Sequence, residues 1–90
     1  MDAKNDVTAT AGAADSNGRI PADITATNHA SSTADYTVAV EFRDPAGNLL
    51  DATVATINQV GPGQAKTVTV HSNRSLTGTV SVQIATALRH

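Results

Sequence analysis

Three histidines, His29, His71 and His90, are the side chains of this 90-residue chain best suited to bind a metal or move a proton near neutral pH. Their spacing supports neither role. No His-x-His or His-x-x-x-His pair occurs, so His29 in Thr27-Asn28-His29 has no second ligand close in sequence. The chain has no cysteine, which removes thiolate ligands, a disulfide framework and a cysteine nucleophile together. Serines are present, but no Gly-x-Ser-x-Gly elbow is there to expose one of them. Asp44 and Asp51 flank Pro-Ala-Gly-Asn-Leu-Leu, which lacks the dense alternating oxygen ligands of a calcium loop. No catalytic residue, no cofactor and no metal ligand is therefore expected.

The same polar residues have a plainer reading. Asn28, Ser31, Ser32 and Thr33 are short side chains that hydrogen-bond nearby backbone, and they are expected to carry the chain from one sheet to another. Asp44 opens a turn, where its carboxylate can accept backbone N–H groups. Asn17-Gly18-Arg19 reads as a hairpin turn followed by a solvated arginine rather than as a cell-binding tripeptide. Asn73-Arg74-Ser75 is a glycosylation sequon, meaningful only in a eukaryotic secretory pathway. Tyr36 is expected in the core with its hydroxyl at the rim.

Strands must position these residues. The clearest is Asp35–Arg43, where Tyr36, Val38, Val40 and Phe42 alternate with Thr37, Ala39, Glu41 and Arg43, the pattern of a half-buried pleated strand. Before it, residues 7–14 have strand character. Asn17-Gly18 predicts a tight type I′ hairpin, and residues 20–28 place Ala22, Ile24 and Ala26 on one face. After it comes the Asp-Pro-Ala-Gly-Asn turn, then residues 49–60 as one strand whose imperfect alternation leaves room for a bulge. A Gly-Pro-Gly-Gln loop (61–64) leads to residues 65–72, with Val68 and Val70 on one face. Residues 73–78 connect to a last strand, 79–89, expected to turn Val80, Val82, Ile84 and Leu88 inward. Residues 1–6 read as a disordered lead, and 7–89 as one domain. Six or seven short strands with glycine-marked connections predict an all-β, immunoglobulin-like antiparallel β-sandwich.

Composition bounds the class. Thirteen threonines and nine valines favour strands. One Phe, one Tyr and no Trp leave the core to valine, isoleucine, leucine and part of the sixteen alanines. Such a core is thin and suits two close layers better than a deep ligand cavity, and a chain of this length buries only roughly 60–65% of its unfolded surface. The net charge is −2, with both signs scattered. Nucleic-acid binding is not expected, and no segment resembles a membrane span or a membrane-surface helix. The opening Met1-Asp2-Ala3-Lys4-Asn5-Asp6 is too polar for a signal peptide. The expectation is an extracytoplasmic domain whose export signal is absent from this chain; the alternative is a cytoplasmic protein.

Three stretches carry a resemblance: residues 24–50 with Thr27-Asn28-His29 and Asp35-Tyr36-x-Val38-x-Val40-x-Phe42-x-Asp44-x-x-Gly47-x-x-Leu50; Pro62-Gly63-Gln64; and Gly78-x-Val80-x-Val82-x-Ile84 running to Arg89. Together they resemble the FxLYD-type immunoglobulin-like domains of small actinobacterial lipoproteins and secreted proteins, over roughly residues 7–89. The resemblance implies a bacterial, extracytoplasmic domain with no shared catalytic residues. Relatives often pair a cysteine on the first strand with one on the last; the counterparts here are Gly12 and Val82. A bridge closing a loop of about 70 residues would contribute roughly 4 kcal/mol in the chain-entropy model, so this chain must rely on its apolar core. The resulting expectation is a non-enzymatic binding or accessory module of a bacterial envelope or secreted protein. Its partner would be an unknown protein or cell-wall component met through loops or strand edges. The alternative is a structural spacer or an assembly domain, including a homodimer through an edge strand.

Overall fold

The computed structural model describes residues 3–90. Among them are a 3-10 turn, Lys4–Asp6, and six strands: β1 (Val7–Ala11), β2 (Pro21–Thr27), β3 (Ala34–Arg43), β4 (Leu49–Val60), β5 (Ala65–His71) and β6 (Ser81–Arg89). They form two three-stranded antiparallel sheets, ordered β1-β2-β5 and β4-β3-β6. The protein is an all-β sandwich. The chain changes sheet at residues 28–33, 61–64 and 72–80, whereas β1–β2 and β3–β4 are hairpins within a sheet.

The alternation of β3 is what builds the core. Tyr36, Val38, Val40 and Phe42 are all fully buried, with Thr37, Ala39, Glu41 and Arg43 on the outer face. Ala22, Ile24 and Ala26 of β2 are also fully buried and belong to the same cluster. Small residues on one layer make room for the large ones on the other, as close packing requires. Ala55, Ile57 and Val60 of β4 join this core from the edge of the β4-β3-β6 sheet.

Three bulges set the register of the outer strands against this core. In β4, Ala34 pairs with Val60 but Tyr36 with Ile57, so one extra residue is inserted opposite Asp35. Gln59 there has φ 58°, and Asp35 Oδ1 accepts its N–H at 2.7 Å, holding the bulge in a conformation that costs an L-residue energy. This insertion and a second one at Leu50, where Phe42 pairs with Asp51 but Arg43 with Leu49, break the alternation along residues 49–60. In β6, Ala39 pairs with Thr86 but Val40 with Ile84, and Ala85 is the inserted residue. The insertion reverses the faces beyond it. Val82 and Ile84 pack against the core as expected, but Ala87 is buried and Leu88 is 44% exposed. The expected inward Leu88 is thus corrected, and Val80 packs on the core from just before the strand.

Three further expectations change. The lead is not disordered from Ala3 onward: Ala3 is buried, its N–H donates to the Ala87 carbonyl at 2.8 Å, and the 3-10 turn follows; Met1 and Asp2 lie outside the described residues. Asn17-Gly18 does not form a type I′ hairpin, because Gly18 but not Asn17 has positive φ. Instead Asp15 starts the turn. Its carbonyl accepts the Gly18 N–H, its N–H donates to the Arg19 carbonyl, and its Oδ1 accepts the N–H groups of Asn17 and Arg19. Asp44-Pro45-Ala46-Gly47-Asn48 repeats the arrangement bond for bond, with Gly47 at φ 87°. An Asp at the first position captures two N–H groups, and glycine alone turns the chain left-handed at the fourth. Finally, Tyr36 is wholly buried, and its hydroxyl lies within the core without a hydrogen-bond partner among the described residues, not at the rim. The strand's pleat points the ring straight into the layer, and nothing there is polar enough to receive its end.

Candidate functional site

The sandwich keeps the three histidines apart. His29 sits in the 28–33 crossing with Nε2 3.7 Å from Asp6 Oδ1. His71 ends β5, 4.0 Å from Asp15. His90 follows β6, with Nε2 3.0 Å from Thr37 Oγ1. Among the described residues, no group of three His, Asp or Glu side chains is placed to hold a metal ion. Asn28 is fully buried and structural: Nδ2 donates to the carbonyls of Ser32 and Val60, each at 2.8 Å, while Oδ1 accepts the Ala30 N–H at 2.9 Å. Of the polar stretch after β2, the Asn28 side chain ties the loop to the end of β4, whereas the Ser31, Ser32 and Thr33 side chains make no such bond among the described residues.

The remaining chemistry is that of strand edges. An edge strand presents unpaired N–H and C=O groups, and proteins normally blunt it. The β4 edge is clasped near both ends, at Leu50, Ala52 and Asn58, while the outward groups of Val54 and Thr56 between them have no partner among the described residues. Arg74 reaches the Leu50 carbonyl, Asn73 Nδ2 donates to the Ala52 carbonyl at 2.8 Å, and Lys66 Nζ donates to the Asn58 carbonyl at 2.7 Å. Asp51 reciprocates, accepting the backbone N–H groups of Asn73 and Arg74 at 2.6 and 3.0 Å. Partial burial is the largest single influence on the Asp51 carboxyl and would raise its pKa. The bonds from Ala52, Arg74 and Asn73 together outweigh it and hold the pKa below the ordinary carboxylate value. The sequon asparagine therefore serves as a clamp on β4. Lys66 also ties β5 to β4 across the layers.

The β6 edge is different. Asp35 and His90 exchange both backbone hydrogen bonds, at 2.9 Å each, so Thr37–Leu88 and Ala39–Thr86 are the next pairs that bond to each other. The intervening residues of β6 point their N–H and C=O groups away from β3. Ala87 does so, and its carbonyl is taken by the Ala3 N–H. Beyond the bulge, the pairing Glu41–Gln83 is the bonded one, which leaves Val82 and Ile84 facing outward along the backbone. No described residue hydrogen-bonds to those outward groups of Val82 and Ile84. Their side chains lie half-buried on the core side. From Ser75 to Leu88 the chain carries no charged residue and no proline, so none of the usual charge or proline guards is present. β1, on the same flank, is only five residues long.

A shallow groove of about 490 Å³, lined by Gln59, Val60, Gln64, Ala65 and Lys66, lies on the flank of β4 and β5. Gln64 Oε1 accepts the Gly61 N–H and Lys66 is engaged at Asn58, so its polar groups serve the turn and the β4 edge. The expectations from sequence named no site residue and did not single out the β6 edge. The uncharged run 75–88 was the one sequence signal for the open edge.

No known family matches this chain, and no curated protein or solved structure is significantly similar to it.

Proposed function

We propose that this chain is a non-enzymatic binding module of a bacterial envelope or secreted protein, and that it takes its partner by strand addition at β6. The observation that carries the reading is the outward backbone of Val82 and Ile84, unpaired, uncharged along the strand and underlain by half-covered apolar side chains. Strand addition draws affinity from main-chain hydrogen bonds and selectivity from alternate side chains. The partner is accordingly an extended, uncharged segment with small or β-branched residues at every second position. The sheet orders β1-β2-β5 and β4-β3-β6, with chain crossings after β2, β4 and β5, support an immunoglobulin-like arrangement. The order of motifs that resembles FxLYD-type domains supports an extracytoplasmic setting.

The test uses an isotope-labelled domain and, as probe, a peptide of alternating threonine and valine with lysines only at its ends. Binding should slow amide exchange at Val82 and Ile84 and leave the Asp15 and Asp44 turns unchanged. Ile84→Lys, which sets a charge on the core side of the edge, should abolish it. Protection confined to the loops, or none up to the solubility limit of the peptide, would overturn the reading.

A further inference from the structure

We infer that β6 pairs with β6 of a second copy of this chain, about a two-fold axis through Gln83. This rests on the strand-addition reading and names the occupant. The edge requires an uncharged strand with apolar residues at alternate positions and no proline; the segment Val80–Thr86 is itself such a strand. An antiparallel pair of identical strands is self-complementary, as a closed two-fold interface must be. Only one register lets the free backbone groups meet. Val82 and Ile84 both face outward, so Val82 of one copy must exchange its two bonds with Ile84 of the other, and Ile84 with Val82. Gln83 then faces Gln83 as the closer, non-bonded pair on the outer surface, and Ser81 faces Ala85.

Charge favours this occupant over a charged strand. No like charges are brought opposite one another, because the nearest charged residues, Arg74 and Arg89, lie outside the paired segment. The four half-buried side chains, Val82 and Ile84 from each copy, meet across the axis and cover one another. The 3-10 turn bounds the ladder. Ala3 already holds the Ala87 carbonyl, so pairing stops at about Thr86. A ladder this short buries less than the roughly 1,200 Å² of a stable interface, and the dimer is correspondingly weak and concentration-dependent.

Two measurements on the full chain test it. Light scattering from roughly 10 μM to 1 mM should show the mass rising from the monomer's 9.2 kDa toward twice that value. Val82→Pro removes one outward N–H that β3 does not use, and it should stay monomeric while retaining the β circular-dichroism spectrum. Gln83→Cys places two thiols at the closer pair, within disulfide reach. Under mild oxidation it should crosslink about tenfold or more faster than Thr56→Cys on the outer face of β4. A mass fixed at the monomer value, or equal crosslinking rates for the two variants, overturns self-pairing. If the threonine–valine peptide still protects Val82 and Ile84 in that case, strand addition stands without the second copy. If it does not, both readings fail.

Discussion

Asn28→Ala is the substitution on which the architecture most depends for its size. Two donors and one acceptor of the Asn28 amide are used, and the two carbonyls and one N–H around it leave a single orientation for the side chain. Its backbone also extends the β2–β5 pairing, with the Asn28 N–H donating to the Gln64 carbonyl and its carbonyl accepting the Gly63 N–H. Alanine retains the backbone bonds and loses the three side-chain bonds. Each is worth about 0.5–1.5 kcal/mol net, and the loss of the Asn28 donor at the buried Val60 carbonyl adds an overlapping cost of up to about 1–3 kcal/mol. A loss of about 3 kcal/mol follows, against a total stability of roughly 5–13 kcal/mol for a domain of this length. At about 4–8 °C per kcal/mol, the Tm should fall by roughly 12–24 °C. Urea unfolding followed by circular dichroism measures it directly. Asn28→Asp provides the control: it keeps the acceptor for Ala30 but sets a carboxylate against two carbonyl oxygens, and should be at least as destabilising at pH 7. A loss under about 1 kcal/mol for the alanine variant, or an aspartate variant milder than alanine, would show that the crossing is held by something other than these bonds.

Other outcomes follow from the same geometry. Leu88→Ala should cost less than about 1 kcal/mol because the β6 bulge turns Leu88 outward, whereas Ala87→Leu should cost about 1–3 kcal/mol by overpacking a closed site; chemical denaturation of the pair reads the register of β6. Tyr36→Phe removes a buried hydroxyl that has no partner among the described residues, so stability should be unchanged or rise by about 1 kcal/mol, and a clear loss would reveal a bond to that oxygen. The Asp44 carboxyl is held below the ordinary value first by the Asn48 side chain and then by backbone N–H groups, and Asp15 first by the Arg19 N–H. With Asp51, these are carboxyls whose folded pKa is depressed, so their contribution is complete above an unfolded pKa of about 3.9 and is lost as pH falls below it. A pH series of melting temperatures should therefore drop below about pH 4, and Asp44→Asn should flatten part of that drop.

How much could be read without coordinates differs from strand to strand. β3 was legible residue by residue, because strict alternation over Tyr36–Phe42 admits one burial pattern. Asn28 was legible as a sheet-crossing residue because an amide amid short polar side chains has backbone as its natural partner. The break in β4 was visible too, though its cause was not: the Asp35 carboxylate that holds Gln59 comes from another strand. β6 was misread beyond Ala85. Its sequence alternates smoothly enough that either face could be inner, and only pairing with β3 inserts the extra residue that buries Ala87 in place of Leu88. Asn17-Gly18 misled for a related reason, since Asp15 two residues earlier captured the N–H groups that define the turn.

Local pattern thus determined that this protein is a thin sandwich built around one alternating strand, because side-chain periodicity and turn chemistry act over a few residues. Tertiary structure alone decided where side chains clasp an edge. Asn73 and Arg74 reach β4 from 21 and 24 residues away and Lys66 from eight, while no described residue reaches the outward groups of Val82 and Ile84. Backbone hydrogen bonds carry no side-chain signature, and whether such a group is paired depends on what the whole chain brings beside it.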